Sequence, residues 1–172
     1  MGPQLTTIGI EYNPKKYRLS DGSIIDCAIL DTNGTERFKS INETYFRQAD
    51  GCIIVYDITN ENSFEQIKDY YIPKLREKCK ENITTILLGN KSDKENERKI
   101  TLEQGSQLAL ENNFIFKEIS CTEMNNISNA FETIIEVTTI DMKNRGDDEN
   151  VTITINKKNH RKRIIKKGKK CC

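Results

Sequence analysis

Two short apolar runs, Cys52-Ile53-Ile54-Val55-Tyr56 and Thr85-Ile86-Leu87-Leu88-Gly89, constrain this 172-residue chain more than any other feature. Neither alternates apolar with polar residues, so neither can be a strand with one face in water. Each reads as a strand buried on both faces. Between them Phe64, Ile67, Tyr71, Leu75 and Cys79 recur at three- and four-residue spacing and define one face of a helix. Strand, helix and strand in succession make a right-handed βαβ unit, and therefore a largely parallel sheet covered on both sides.

The rest of the chain fits that frame. Tyr17-Arg18-Leu19 and Ile24–Leu30 flank Ser20-Asp21-Gly22-Ser23 and read as a β-hairpin. Pro73 falls inside the first helix and is expected to kink it or mark an irregularity. Thr101-Leu102-Glu103-Gln104 has the capping-box pattern and opens a helix through Leu108 and Leu110. Phe114-Ile115-Phe116 starts another strand, and Ile127, Ala130, Phe131, Ile134 and Ile135 mark a last amphipathic helix that ends near Met142. From Lys143 the periodicity fades. The expected organisation is a domain over residues 1–142 and a polar, then basic, tail over 143–172.

Charge sharpens that division. The net charge of +1 is the sum of two opposed halves. Residues 157–172 hold nine Lys or Arg and no acid, leaving 18 basic and 26 acidic side chains, a net of −8, on residues 1–156. An acidic body with a basic arm reads as an interaction tail. No apolar stretch approaches the roughly 18 residues of a bilayer span and no signal peptide precedes the body, so the expected compartment is the cytosol. Cys27, Cys52, Cys79 and Cys121 lack metal-ligand spacing and read as buried small hydrophobes.

Three segments carry the chemistry: Asp31-Thr32-Asn33-Gly34-Thr35-Glu36-Arg37-Phe38, Asn90-Lys91-Ser92-Asp93, and Glu118-Ile119-Ser120-Cys121-Thr122. Each comes after the carboxyl end of an expected strand, where open α/β sheets bind ligands. Asp93 can offer two acceptor oxygens to N1–H and N2 of a guanine ring, a donor pair that adenine lacks. A site built for that edge rejects a base that leaves its carboxylate unpaired. Alone, the tetrapeptide reads equally well as a polar loop after a strand; the other two segments give it a context.

With Thr7-Ile8-Gly9-Ile10-Glu11-Tyr12, Tyr45-Phe46-Arg47, Val55-Tyr56-Asp57-Ile58-Thr59 and the closing Cys171-Cys172, these segments resemble the Rab branch of the Ras superfamily of small GTPases. The resemblance runs from about Thr7 onward. It implies an α/β small-GTPase fold, related to the P-loop NTPases, with a mostly parallel sheet and helices on both faces. It also implies a GTP/GDP-binding switch in vesicle and membrane traffic. Carried over by position, Asp93 binds the guanine edge, Asn90 braces the loop, Lys91 packs along the ring, and the Ser120-Cys121 backbone meets guanine O6. Asp31 holds the Mg²⁺ shell, Thr7 completes it in the GTP state, and the Gly34 N–H meets the γ-phosphate.

Three departures qualify the resemblance. Thr35 stands at the position of the Gln that orients the attacking water and is too short to replace it, so no catalytic residue is assigned and hydrolysis is expected to be slow. Thr122 stands at the position of a Lys that covers the second face of the base, which weakens base binding. Nothing matches G-x-x-x-x-G-K-[ST], the loop whose backbone and Lys hold the phosphates and whose Ser/Thr helps hold Mg²⁺. The first strand, that loop and the first helix need roughly 35 residues, and only Met1–Thr6 precede Thr7. In the family the first strand lies in mid-sheet, so the strands ending near Asp31 and at Tyr56 are expected to pair directly in a narrower sheet. Two readings of the start stay open: an incomplete chain, and a nucleotide-free Rab-like interaction protein. The guanine and magnesium positions downstream favour the first.

The basic run from Lys157 to Lys170 alone fits a nuclear-import or nucleic-acid arm; the terminal Cys171-Cys172 turns the reading to membranes. Two prenylated thiols with a polybasic stretch anchor firmly where one lipid does not. The resemblance adds a Rab escort protein with its prenyl transferase, a GDP-dissociation inhibitor, and effectors contacting residues 7–12 and 34–47. The expected location is the cytoplasmic face of an intracellular membrane with a cytosolic pool, and no nucleic acid is expected as a partner.

Overall fold

The computed structural model describes residues 10–32, 46–147 and 151–156. β1 (Ile10–Arg18) and β2 (Ile24–Thr32) form the expected hairpin. Its turn is closed by Leu19 N–H to Ser23 O at 2.9 Å and Gly22 N–H to Leu19 O at 3.0 Å. The Asp21 carboxylate accepts the Ser23 N–H at 2.8 Å across the turn, the local side-chain bond for which Asp is favoured there.

β3 (Gly51–Asp57) and β4 (Thr84–Asn90) are the two apolar runs, parallel and in direct register. Their alternate residues divide between two cores. Cys52, Ile54, Tyr56 and Leu87 pack on one face with Phe64, Ile67, Leu75 and Leu108. Ile53, Ile86 and Leu88 pack on the other with Ala130, Ile134 and Ile135. Both faces are dry, which is why neither run alternates. Each such fully buried Ile or Leu contributes about 1.5–3 kcal/mol.

The first helix is irregular where Pro73 requires it. α1 (Glu61–Gln66) passes through a π-turn (Ile67–Tyr71) into α2 (Ile72–Lys78). Ile72 N–H bonds to Ile67 O, one residue beyond the α-helical partner. The slip makes room for a proline ring that would otherwise meet the carbonyl four residues earlier. α3 (Leu102–Glu111) opens on the expected capping box, with Gln104 N–H on Thr101 Oγ1 at 3.2 Å and Thr101 N–H on Gln104 Oε1 at 2.8 Å. β5 (Ile115–Ile119) pairs with β4. α4 (Met124–Arg145) runs beyond Met142 and stops at Gly146, whose φ of 77° and N–H bond to Lys143 O close the helix.

Residues 143–172 are therefore not all tail. The helix takes 143–145, and Val151–Asn156 forms β6, a parallel strand inside the sheet. The strand order is β1-β2-β6-β3-β4-β5. Direct pairing of β2 with β3 does not occur: β6 lies between them, Cys27–Thr32 on one side and Gly51–Ile54 on the other. That is the slot the family's first strand would fill. Val151 and Ile153 are buried against α4, and Thr152 is half-exposed, so an alternating strand suits a sheet with one covered face.

The slot is closely fitted. A Cβ on Gly51 would lie 2.6 Å from both Ile153 Cδ1 and Thr138 Oγ1, so only glycine lets β3 approach β6 and α4 there. Asp50 N–H donates to Thr152 O at 2.8 Å, and its carboxylate accepts Thr152 N–H at 2.9 Å. Asp50 is 7% exposed and is paired with Lys80 at 2.6 Å.

Candidate functional site

The parallel strands bring their carboxyl ends to one edge of the sheet. Asp57 ends β3 beside Asn90 at the end of β4. Ser120 comes directly after β5. Asp31 and Thr32 close β2 against Ile155 and Asn156 of β6.

Asn90-Lys91-Ser92-Asp93 leaves β4 in a tight turn, with Lys94 N–H on Lys91 O at 2.9 Å. Lys91 has φ of 72°, a left-handed conformation that costs a residue with a Cβ roughly 1–2 kcal/mol. Two bonds hold it there. Asn90 Oδ1 accepts Lys91 N–H at 2.8 Å, and Lys91 Nζ lies 2.5 Å from Asp57 Oδ2. Asp57 is itself fixed, its Oδ1 accepting Thr59 N–H at 2.9 Å and the Thr59 hydroxyl at 2.7 Å. Burial pushes the Asp57 carboxyl up, but the Lys91 ammonium and the two Thr59 donors outweigh it and hold it below the usual carboxylate range.

The second loop is tied to the first. Ser120 is fully buried and its hydroxyl donates to Asp93 Oδ1 at 2.5 Å. The same Ser120 oxygen accepts Thr122 N–H at 3.2 Å and lies 2.6 Å from the Thr122 hydroxyl. Ser92 N–H bonds to Ile119 O at 3.1 Å, and the Cys121 thiol donates to Asn90 Oδ1 at 3.3 Å. A buried hydroxyl thus orients an exposed carboxylate, and Asp93 Oδ2 has no partner among the described residues.

The six positions Asn90, Lys91, Asp93, Ser120, Cys121 and Thr122 come together as one unit. The unit presents an oriented carboxylate, Asp93, with the Ser120–Thr122 segment beside it. Asp31 lies at the same edge; Thr7, Gly34, Thr35, Cys171 and Cys172 lie outside the described residues. So does most of 7–12 and 34–47. Cys121 is not a buried hydrophobe as expected; it is exposed at the rim of the unit. Cys27 and Cys52 keep that reading, Cys79 is half-buried against the core that holds Cys52, and burial pushes the Cys27 and Cys79 thiols up to about 12.

Two supports escaped the sequence reading. Asp57 stands at the end of an apolar run, a placement that marks a carboxylate at the ligand edge, but its partner depends on the β3–β4 register. Arg98 meets both oxygens of Glu118 at 2.7 Å and bonds to Ile100 O at 2.9 Å, bracing the return from the first loop. Arg98 and Glu118 are 20 residues apart in sequence, and no local signal couples them.

The profile of the Ras family matches residues 3–140. The chain is similar to Ras-related protein RabC of Dictyostelium discoideum, 36% identical over 139 residues, covering 80% of this chain and 70% of that protein. It is similar to Ras-related protein Rab-8B of Pongo abelii, 36% identical over 146 residues with 85% and 70% covered. Against Ras-related protein Rab-8A of Gallus gallus it is 40% identical over 130 residues, and the aligned region spans 76% of this chain and 62% of that protein.

Proposed function

Because the chain belongs to the Ras family of small GTPases and to its Rab branch, we propose that it is a guanine-nucleotide-binding switch in vesicle traffic. Asp93 reads the guanine edge, Asn90 and Lys91 shape the loop, and Ser120–Thr122 close the base pocket. The observation that carries this reading is the Ser120–Asp93 bond, which holds one carboxylate oxygen and leaves the other for the base. Asp31, with Thr7 and Gly34, serves Mg²⁺ and the γ-phosphate. Hydrolysis is weak with Thr35 at the water-orienting position. Cys171 and Cys172 carry prenyl groups that hold the protein, with its basic tail, on the cytoplasmic face of an intracellular membrane. Escort protein, GDP-dissociation inhibitor and effectors are its partners. Titration with guanosine, GDP and their adenine counterparts tests the reading: guanine-selective binding is expected, and equal affinity for the adenine compounds would sink it.

One observation favours a second reading. The sequence holds no G-x-x-x-x-G-K-[ST] loop, so the same fold can act as a prenylated interaction protein without nucleotide. Absence of any guanosine or GDP binding by a folded chain would select it.

A further inference from the structure

The Ser120 hydroxyl has one hydrogen and two lone pairs, and three groups surround it. Asp93 Oδ1 lies at 2.5 Å, the Thr122 hydroxyl at 2.6 Å and the Thr122 N–H at 3.2 Å. An ionised carboxylate only accepts, so the single hydrogen goes to Asp93. The two lone pairs then take the Thr122 N–H and the Thr122 O–H. Thr122 is therefore the donor of the hydroxyl pair, and the bonds run one way, from Thr122 to Ser120 to Asp93. A turn closed by Glu123 N–H on Ser120 O at 3.0 Å folds Thr122 back onto Ser120.

Each link constrains the next. Ser120 is fully buried, and a serine side chain has three staggered positions open to it. The two bonds from Thr122 select the one that reaches Asp93. A hydroxyl that accepts a hydrogen bond is polarised into a stronger donor, so Thr122 also tightens the Ser120–Asp93 bond. That bond holds Asp93 Oδ1, and Oδ2 has no partner among the described residues. The plane of this exposed carboxylate thus depends, through Ser120, on Thr122.

We infer that Thr122 is a positioning residue for base selection: through Ser120, its hydroxyl sets the plane in which Asp93 meets a guanine. The inference rests on the guanine reading of Asn90–Asp93 and Ser120–Thr122. Guanine offers N1–H and the N2 amine at this edge, whereas hypoxanthine offers N1–H alone. A single donor can be met by a carboxylate at many angles. Two donors need both oxygens in the plane of the ring. Thr122 therefore acts on the contact to N2, which guanine makes and hypoxanthine does not.

The test titrates the full 172-residue chain with guanosine, inosine and adenosine. The unaltered chain is expected to prefer guanosine to inosine about tenfold, the worth of one hydrogen bond to a charged group. Thr122→Val keeps the shape and removes the hydroxyl. It should bring that preference to within about threefold while inosine binds as before. Thr122→Ala should match it, and Thr122→Ser, which restores the hydroxyl, should recover the full preference. An unchanged preference in Thr122→Val, or equal losses for guanosine and inosine, overturns the inference, since the residue would then only shape the loop. A loss in Thr122→Ser as large as in Thr122→Val also overturns it, as does equal affinity of the unaltered chain for guanosine and inosine. Guanosine bound in preference to adenosine through all of these leaves the base reading standing. If the unaltered chain does not bind guanosine, the base reading fails and the inference falls with it.

Discussion

Lys91 and Asp57 form a 2.5 Å ion pair across the ends of two neighbouring strands, and it holds Lys91 in a left-handed backbone conformation. The pair joins the Asn90–Asp93 loop to the sheet. Asp57→Asn keeps the Thr59 bonds available but removes the charge, so Lys91 loses its anchor. Guanosine affinity is expected to fall by about two- to tenfold, with the fold retained in circular dichroism. An unchanged affinity would show that the loop does not depend on the pair.

The same carboxylate sets a pH response. Asp57 titrates below its ordinary value of 3.8 in the folded chain, so the folded state binds its proton less readily than the unfolded chain. Its stabilisation is complete above the unfolded value and is lost as pH falls through the folded one. Acid unfolding measured by circular dichroism should therefore show the unaltered chain losing its advantage over Asp57→Asn only below about pH 4. A difference that grows on acidification would contradict the direction of the shift.

Asp93→Asn exchanges one carboxylate oxygen for an amide donor. Guanine presents two donors at this edge, whereas xanthine presents N1–H beside a carbonyl oxygen. The variant should lose guanosine affinity by at least about tenfold, the cost of a mismatched pair at the bound base, and gain affinity for xanthosine. Competition between the two nucleosides reads the exchange directly; a variant that still preferred guanosine would place the base elsewhere.

Ile153 is fully buried in the central slot. Ile153→Ala should destabilise the chain by about 2–5 kcal/mol, the range for deleting buried methylenes where the surroundings cannot collapse. Equilibrium urea unfolding measures it. A loss near zero would mean that β6 does not occupy the slot in solution.

Asp50→Ala strips the Thr152 N–H of its acceptor and Lys80 of its carboxylate. An unpaired buried donor costs about 1–3 kcal/mol. Amide exchange at Thr152 should quicken with the fall in stability, whereas Asp50→Asn, which retains an acceptor oxygen, should restore much of the protection.

Much of this fold was legible because its signals are local. Cys52–Tyr56 and Thr85–Leu88 declared two doubly covered strands, Thr101 and Gln104 declared a helix start, and Asp21-Gly22 declared a turn. Asn90–Asp93 and Ser120–Thr122 stood out through their places after those strands. β6 did not. Its Val-Thr-Ile-Thr-Ile alternation is plain, but Asp147-Asp148-Glu149 precedes it and a run of Lys and Arg comes after it, and such flanks read as tail. Its place is decided by ladders to residues far away in sequence. The Asp57–Lys91 and Arg98–Glu118 pairs stayed hidden for the same reason, since each exists only once the register of neighbouring strands is known.

The insertion of β6 also orders events during synthesis. Cys27 must wait for Val151 before its ladder is complete, while β3, β4 and β5 can associate as soon as their own segments emerge. Until then the inner edges of β2 and β3 present unpaired N–H and C=O groups, the surface on which chains misassemble. Folding that must join such distant partners is slow. The half-made chain therefore exposes two strand edges that the finished one covers.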